Sequence, residues 1–167
     1  MISKRISGII AATLMAVPAI AQQSAGKPQF LEQPNKTVTY FSAADVTALI
    51  ARAKKERKGD AALVVAKALQ LAPYETDLEY RASSKPLANV GLHPKEAELV
   101  YVVRGSGTMV TGGTIAADNM SIDGGHSQKI GEGDFIFIPE GTPHWISHID
   151  RTLVLMSMHV PRPVPTH

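Results

Sequence analysis

The chain has 167 residues, of which 17 are basic, 15 are acidic and none is cysteine. This length suits one domain with a substantial hydrophobic core. The near balance of charge argues against a nucleic-acid partner and against an anionic membrane surface. The absence of cysteine excludes disulfides, thiolate metal ligands and a cysteine nucleophile.

The first segment has the pattern of an export signal. Lys4 and Arg5 precede an apolar run that ends in an Ala-Ile-Ala sequence. This combination predicts a cleavable signal peptide over residues 1–21, with cleavage after Ala21 and a periplasmic or secreted product that has no membrane attachment. The run is short and contains Pro18, so an uncleaved anchor is the weaker alternative. Processing removes two basic residues and leaves 15 of each sign.

Residues 22–41 are polar and contain glycine and proline, which predicts an extended arm. One interpretation is a linker left after processing. The other is a strand donated to a neighbouring subunit, which would make the protein a homodimer. The sequence leaves both open.

Residues 42–59 predict the one convincing helix. Ser42 and Asp45 have the spacing of a capping box. Basic residues at the other end favour the negative pole of the helix dipole, and Gly59 can terminate the helix. One face is apolar at helical intervals, through Val46, Leu49, Ile50 and Ala53.

Residues 60–161 consist of short apolar segments between glycine-rich turns, which predicts an all-β barrel or sandwich after the helix. Alternating Phe and Ile at 135–138 predict a strand buried on both faces. The tail 162–167 contains proline and is expected to be extended. The predicted strands are 62–71, 78–82, 99–103, 108–110, 134–139, 145–149 and 152–160.

Two motifs in this region carry a resemblance to a known family. The segment from Gly133 to Trp145 has the pattern G-x5-P-x-G-x2-H, which ends in His144. Upstream, His93 is followed after four residues by Glu98, and six residues later by a glycine. These patterns resemble the second and first signature boxes of the cupins, so the expected fold is a cupin (jelly-roll) β-barrel preceded by one α-helix.

The resemblance also implies a metal site. His93, Glu98 and His144 match three of the four family ligands, whereas Gly91 stands where the family has its first histidine. Two imidazoles and one carboxylate suit a divalent ion such as Fe, Mn, Zn, Cu or Ni. Water, substrate or a histidine from elsewhere could complete the site. On this view Gly91→His should tighten metal binding.

Strand alternation places His148 on the face of His144, and we interpret His148 as lining the pocket or facing solvent. Trp145, next to His144, and Tyr101 are also candidates for lining the pocket, with the barrel core or rim as the alternative. His126 is interpreted as a loop residue. His159 and His167 are interpreted as incidental.

The resemblance implies a small-molecule pocket in the barrel but does not select the reaction. One interpretation is a metal-dependent dioxygenase, isomerase or lyase. The alternative is a non-catalytic protein that binds a carbohydrate or other small molecule at a degenerate metal site.

Overall fold

A computed structural model describes residues 40–83 and 88–162. The predicted signal peptide, almost all of the predicted arm, residues 84–87 and the tail from residue 163 lie outside these ranges. Within them, no helix combines the length and the apolar character that a membrane span requires.

The predicted helix is present as α1, Ala43–Glu56, with Ser42 as its N-cap. Both halves of the capping box form: the Asp45 amide donates to Ser42 Oγ at 3.1 Å, and the Ser42 amide donates to Asp45 Oδ2 at 2.9 Å. These bonds satisfy two amides that a helix start otherwise leaves without partners. The apolar face of α1 packs on the outside of the sheet through Leu49, Ile50 and Ala53, which are buried.

Apart from α1, all the regular secondary structure of the described residues is strand, which confirms the predicted β fold. The strands are β1 Leu63–Leu71, β2 Tyr74–Ala82, β3 Glu96–Thr111, β4 Thr114–Ile115, β5 Ile122–Asp123, β6 His126–Gly131, β7 Phe135–Ile138 and β8 His144–Pro161. The main sheet has the order β1-β2-β8-β3-β6, and β7 also pairs with β3. β4 and β5 form a separate two-stranded unit, and every pairing is antiparallel.

Two pairs of predicted short strands are in fact two long ones. The pairs 99–103 with 108–110 and 145–149 with 152–160 belong to β3 and β8, of 16 and 18 residues. Gly105 and Gly107, expected to separate the strands 99–103 and 108–110, instead lie at a register shift between β3 and β8. At Gly105, φ is +88° and a side chain would meet the Thr152 carbonyl, so only glycine fits this close approach.

Bending at these bulges wraps the sheet around an interior core. Its buried members come from β3, β6, β7 and β8: Val100, Val102, Met109, Ile130, Ile138, Ile146, Ile149, Leu153 and Leu155. A second apolar cluster lies between α1 and the outer face of β1, β2 and β8.

Two β elements differ from the sequence expectation. β7 is buried on one face only, because Phe135 and Phe137 are 67% and 60% exposed while Ile138 is buried. β6 had no predicted strand, and His126, expected in a loop, begins it. The β6 sequence is polar, and only Ile130 in it is buried; backbone pairing with β3 therefore forms the strand without an alternating apolar pattern.

Candidate metal centre

The three predicted ligands come from separate places in the chain. His93 lies in the loop before β3, Glu98 is in β3, and His144 opens β8. Two backbone hydrogen bonds join Gly91 to His144, at 2.8 and 3.0 Å. A third, from the Gly141 amide to the His93 carbonyl at 2.8 Å, ties the turn before β8 to the same loop. The proline- and glycine-containing turn is thereby attached to the first motif.

These contacts bring the three side chains together as predicted. Glu98 Oε2 lies 3.0 Å from His144 Nε2 and 3.6 Å from His93 Nε2. The candidate ligand atoms of all three residues lie within 4.8 Å of one another. Two ligands that are each about 2.1 Å from one ion are about 3.0 Å apart at a right angle and about 4.2 Å apart when opposite. The two observed distances to Glu98 lie within this range.

The donor chemistry also fits a cation. His144 Nδ1 lies 3.0 Å from the Thr142 carbonyl oxygen, which can only accept, so we assign the ring proton to Nδ1. In the neutral ring Nε2 then directs a lone pair at Glu98 Oε2, a buried oxygen without a well-directed hydrogen bond. Two lone pairs at this distance repel each other. Either a proton on Nε2 or a metal ion resolves the conflict.

The pKa values of His93, Glu98 and His144 depend on two opposing effects, burial of each side chain and its contacts with oppositely charged neighbours. Burial lowers the pKa of His93. Burial also acts to lower the pKa of His144, but the Glu98 carboxylate and the Thr142 carbonyl together outweigh it and raise the pKa. For Glu98 burial acts to raise the pKa, but the neighbouring histidines, with His144 the largest contributor, together outweigh it and lower the pKa. A metal ion would therefore displace a proton held between His144 and Glu98.

Gly91 faces this centre, as the first-box alignment requires. A Cβ atom there would lie 2.8 Å from Cδ2 and 2.9 Å from Cε1 of the His144 ring, and closer still to Nε2. Carbon atoms in proteins do not approach this closely without displacement. The space of the missing histidine is thus occupied by the ring of His144.

Comparison with known proteins agrees with the two motifs. The family model described as "Cupin domain" matches residues 85–159, a range that contains all three candidate ligands. Residues 85–159 are a cupin domain. No curated protein matches the chain.

Several solved structures are similar to the chain, at low identity and with TM-scores below 0.5. A Bacillus halodurans protein is 18% identical, with 80% of this chain and 87% of that one covered and a TM-score of 0.48. A cupin protein from Bacteroides fragilis is 14% identical, with coverage of 67% and 88% and a TM-score of 0.45. Hydroxypropylphosphonic acid epoxidase from S. wedmorenis is 16% identical, with coverage of 58% and 50% and a TM-score of 0.47. The chain thus matches about half the length of that epoxidase.

A cavity of about 190 Å³ lies beside the three candidate ligands. Trp145 lines it and donates a 3.0 Å hydrogen bond from Nε1 to the Ala88 carbonyl. Glu79 and Arg81 of β2, which were not among the predicted site residues, line the same cavity and form a 2.7 Å ion pair. The sequence did contain a signal for them. Side chains alternate along a strand, so residues 79 and 81 point away from the face on which buried Leu78 packs against α1.

His148 does not line this cavity, which corrects the sequence analysis. Its side chain is 65% exposed and lies 3.1 Å from Asp150. The predicted alternation fails because Met109 pairs with Ile146 while Thr108 pairs with His148, which leaves an extra residue in β8. After this bulge the inward positions shift by one, so Ile146 and Ile149 are both buried.

Tyr101 also lies outside the cavity. It is 44% exposed on the outer face of β3, opposite Phe135 of β7. Alternation from buried Glu98 places residue 101 outside, so the assignment of Tyr101 to the pocket went against its strand position.

His159 is the histidine whose importance was missed. It lies in β8 directly opposite Glu98 and lines the cavity. Its ring centroid is 4.5 Å from that of His93, with the rings edge to face. The sequence signal was weak, because the pairing of β8 with β3 that brings His159 here is a long-range feature.

Proposed function

We propose that the cupin domain binds a divalent metal ion through His93, Glu98 and His144 and that the ion serves a small oxygen-containing molecule in the adjoining cavity. The observation that carries this proposal is the buried Glu98 carboxylate, 3.0 Å from the Nε2 lone pair of His144. When bound, the ion would act as a Lewis acid towards an oxygen of that molecule.

The remaining residues of the cavity would orient the ligand. Trp145 offers an aromatic wall, and the ion pair of Glu79 and Arg81 offers donors and acceptors for hydroxyl or carboxyl groups. Glu98 is occupied as a ligand and is not free to move a proton. Dioxygenase, isomerase and lyase chemistry are the enzymatic candidates, and non-catalytic capture of a carbohydrate or other small molecule is the alternative.

Metal loading tests the proposal. The mature protein, purified without chelators or a polyhistidine tag, is expected to retain about one Fe, Mn, Zn, Cu or Ni ion per chain. Adding that ion at about 100 times its Kd to the chelated protein should stabilise the fold by about 2.7 kcal/mol. Elemental analysis and thermal unfolding measure both effects. The absence of retained metal, together with no shift in Tm for any of the five ions, would refute the metal-binding proposal and favour metal-free ligand capture.

We also propose that the protein is exported and that residues 1–21 are removed, on the strength of the basic and apolar pattern of that segment. Mass spectrometry of the protein from a periplasmic or culture-medium fraction should find Gln22 as the first residue. A product that keeps Met1 and remains with the cells would contradict export. Whether residues 22–41 join two copies into a homodimer is a separate proposal, for which light scattering of the mature protein is the measurement.

A further inference from the structure

A second group of candidate ligands lies beside the first and shares one residue with it. The candidate ligand atoms of His93, Glu96 and His159 all lie within 4.8 Å of one another. His159 Nδ1 is 3.4 Å from Glu96 Oε2, yet this nitrogen is buried and has no well-directed hydrogen bond. Neither His144 nor Glu98 belongs to this group, so its own ligands are Glu96 and His159.

His159 separates the cavity beside Trp145 from a second, acidic one and lines both. The acidic cavity has a volume of about 300 Å³ and is lined by Lys67, Pro73, Glu75, Asp77, Glu96 and His159. Asp77 is only 8% exposed; its Oδ2 accepts from Lys67 Nζ at 3.0 Å, but its Oδ1 is buried without a partner. An unpaired buried carboxylate oxygen is costly unless a cation or water meets it.

The charge of the two cavities favours more than one cation. With neutral histidines, the residues that line the two cavities carry a net charge of −3. The five carboxylates are Glu75, Asp77, Glu79, Glu96 and Glu98, and the two cationic side chains are Lys67 and Arg81. One divalent ion leaves a charge of −1, and a second changes it to +1. The first ion therefore does not remove the local attraction for a second cation.

We propose that Glu96 and His159 bind a second divalent cation in the acidic cavity, next to the ion of the first centre, with the ring of His93 between the two positions. Imidazole and carboxylate ligands, with water for the remaining positions, suit Mn²⁺ or Zn²⁺. The site is more open than the first, since Glu96 is 42% and His159 20% exposed, so the second ion binds more weakly. The two ions would then lie next to each other, one beside each cavity.

Equilibrium dialysis against Zn²⁺ and against Mn²⁺ tests this proposal with a count of ions per chain. The wild-type protein is expected to bind two ions in two separable steps. Glu96→Gln and His159→Ala should each remove the weaker step and retain the tighter one. The matched exposed substitutions Glu132→Gln and His126→Ala should retain both steps.

Mn²⁺ electron paramagnetic resonance supplies a second readout that a purely structural role of His159 would not produce. Two neighbouring ions should give an exchange-broadened spectrum at full loading, and His159→Ala should restore the spectrum of an isolated ion. A spectrum of two isolated ions in the wild type would place the second ion elsewhere and overturn the proposal.

The two proposals fail in different ways. If the wild-type protein saturates at one ion and Glu98→Gln loses that ion, the second site is overturned and the first centre stands. Two ions in Glu96→Gln and His159→Ala would also overturn it. Binding of no ion at all would refute both.

Discussion

Glu98→Gln is expected to weaken binding of the tighter metal ion on the order of 100-fold or more, because it removes the one buried anionic ligand of the first centre. Mutating a residue that only hydrogen-bonds to a metal ligand typically lowers metal affinity by about 10–100-fold, so loss of the ligand itself should cost at least as much. Glu98 is 5% exposed and its Oε2 faces both His93 and His144. Titration of the chelated protein with Zn²⁺, followed by calorimetry or by competition with a chelator, measures the change.

The same variant should change the stability of the metal-free protein by less than about 1 kcal/mol at pH 8. A glutamine amide can donate to the Nε2 lone pair of His144, so it replaces an ion pair by a neutral hydrogen bond. Glu132→Gln, in the exposed turn before β7, is the matched control and should leave metal affinity unchanged. Wild-type affinity in Glu98→Gln would remove Glu98 from the centre.

Gly91→Ala is expected to weaken binding of the same ion by about tenfold or more and to lower the free energy of unfolding by about 1–3 kcal/mol, the usual cost of overpacking. The added methyl group would occupy the position of the His144 ring, which can move only by leaving Glu98 or the Thr142 carbonyl. Metal titration and denaturant unfolding measure the two effects. Gly131→Ala is the matched control, since a Cβ atom there meets nothing within 4 Å.

Gly91→His extends this test and reverses the expectation from the motif. The family pattern implies that a histidine at residue 91 adds a ligand, whereas the structure has no room for its Cβ beside His144. We therefore expect weaker metal binding than in the wild type. Tighter binding in Gly91→His would show that the His144 ring can move aside and that the expectation from the motif was right.

The helix and the metal trio were predictable from local sequence. A capping box depends on residues three apart, and Ser42 and Asp45 form it as expected. The second motif places proline and glycine at a turn that ends in His144, and the turn is held by short-range backbone geometry. Glu98 could be identified because a carboxylate in an apolar strand requires a partner.

Assignments that relied on uninterrupted alternation over a long strand went wrong. One extra residue between Ile146 and His148 turns His148 outwards, and no local pattern indicates this bulge. For the same reason the glycines near residue 105 were interpreted as strand ends, although they allow β3 and β8 to bend and continue. β6 was missed because backbone pairing with β3 stabilises it, not apolar side chains.

The sequence by itself determined the helix, the β character of residues 63–161 and the three residues of the candidate metal centre, because each depends on residues that are close together in the chain or on a motif with fixed spacing. Only the tertiary structure decided which other residues meet those ligands. Antiparallel pairing of β8 with β3 and β2 brings His159 opposite Glu98 and places Glu79 and Arg81 in the cavity. Such contacts follow from long-range strand register, which depends on bulges and on the packing of the whole barrel.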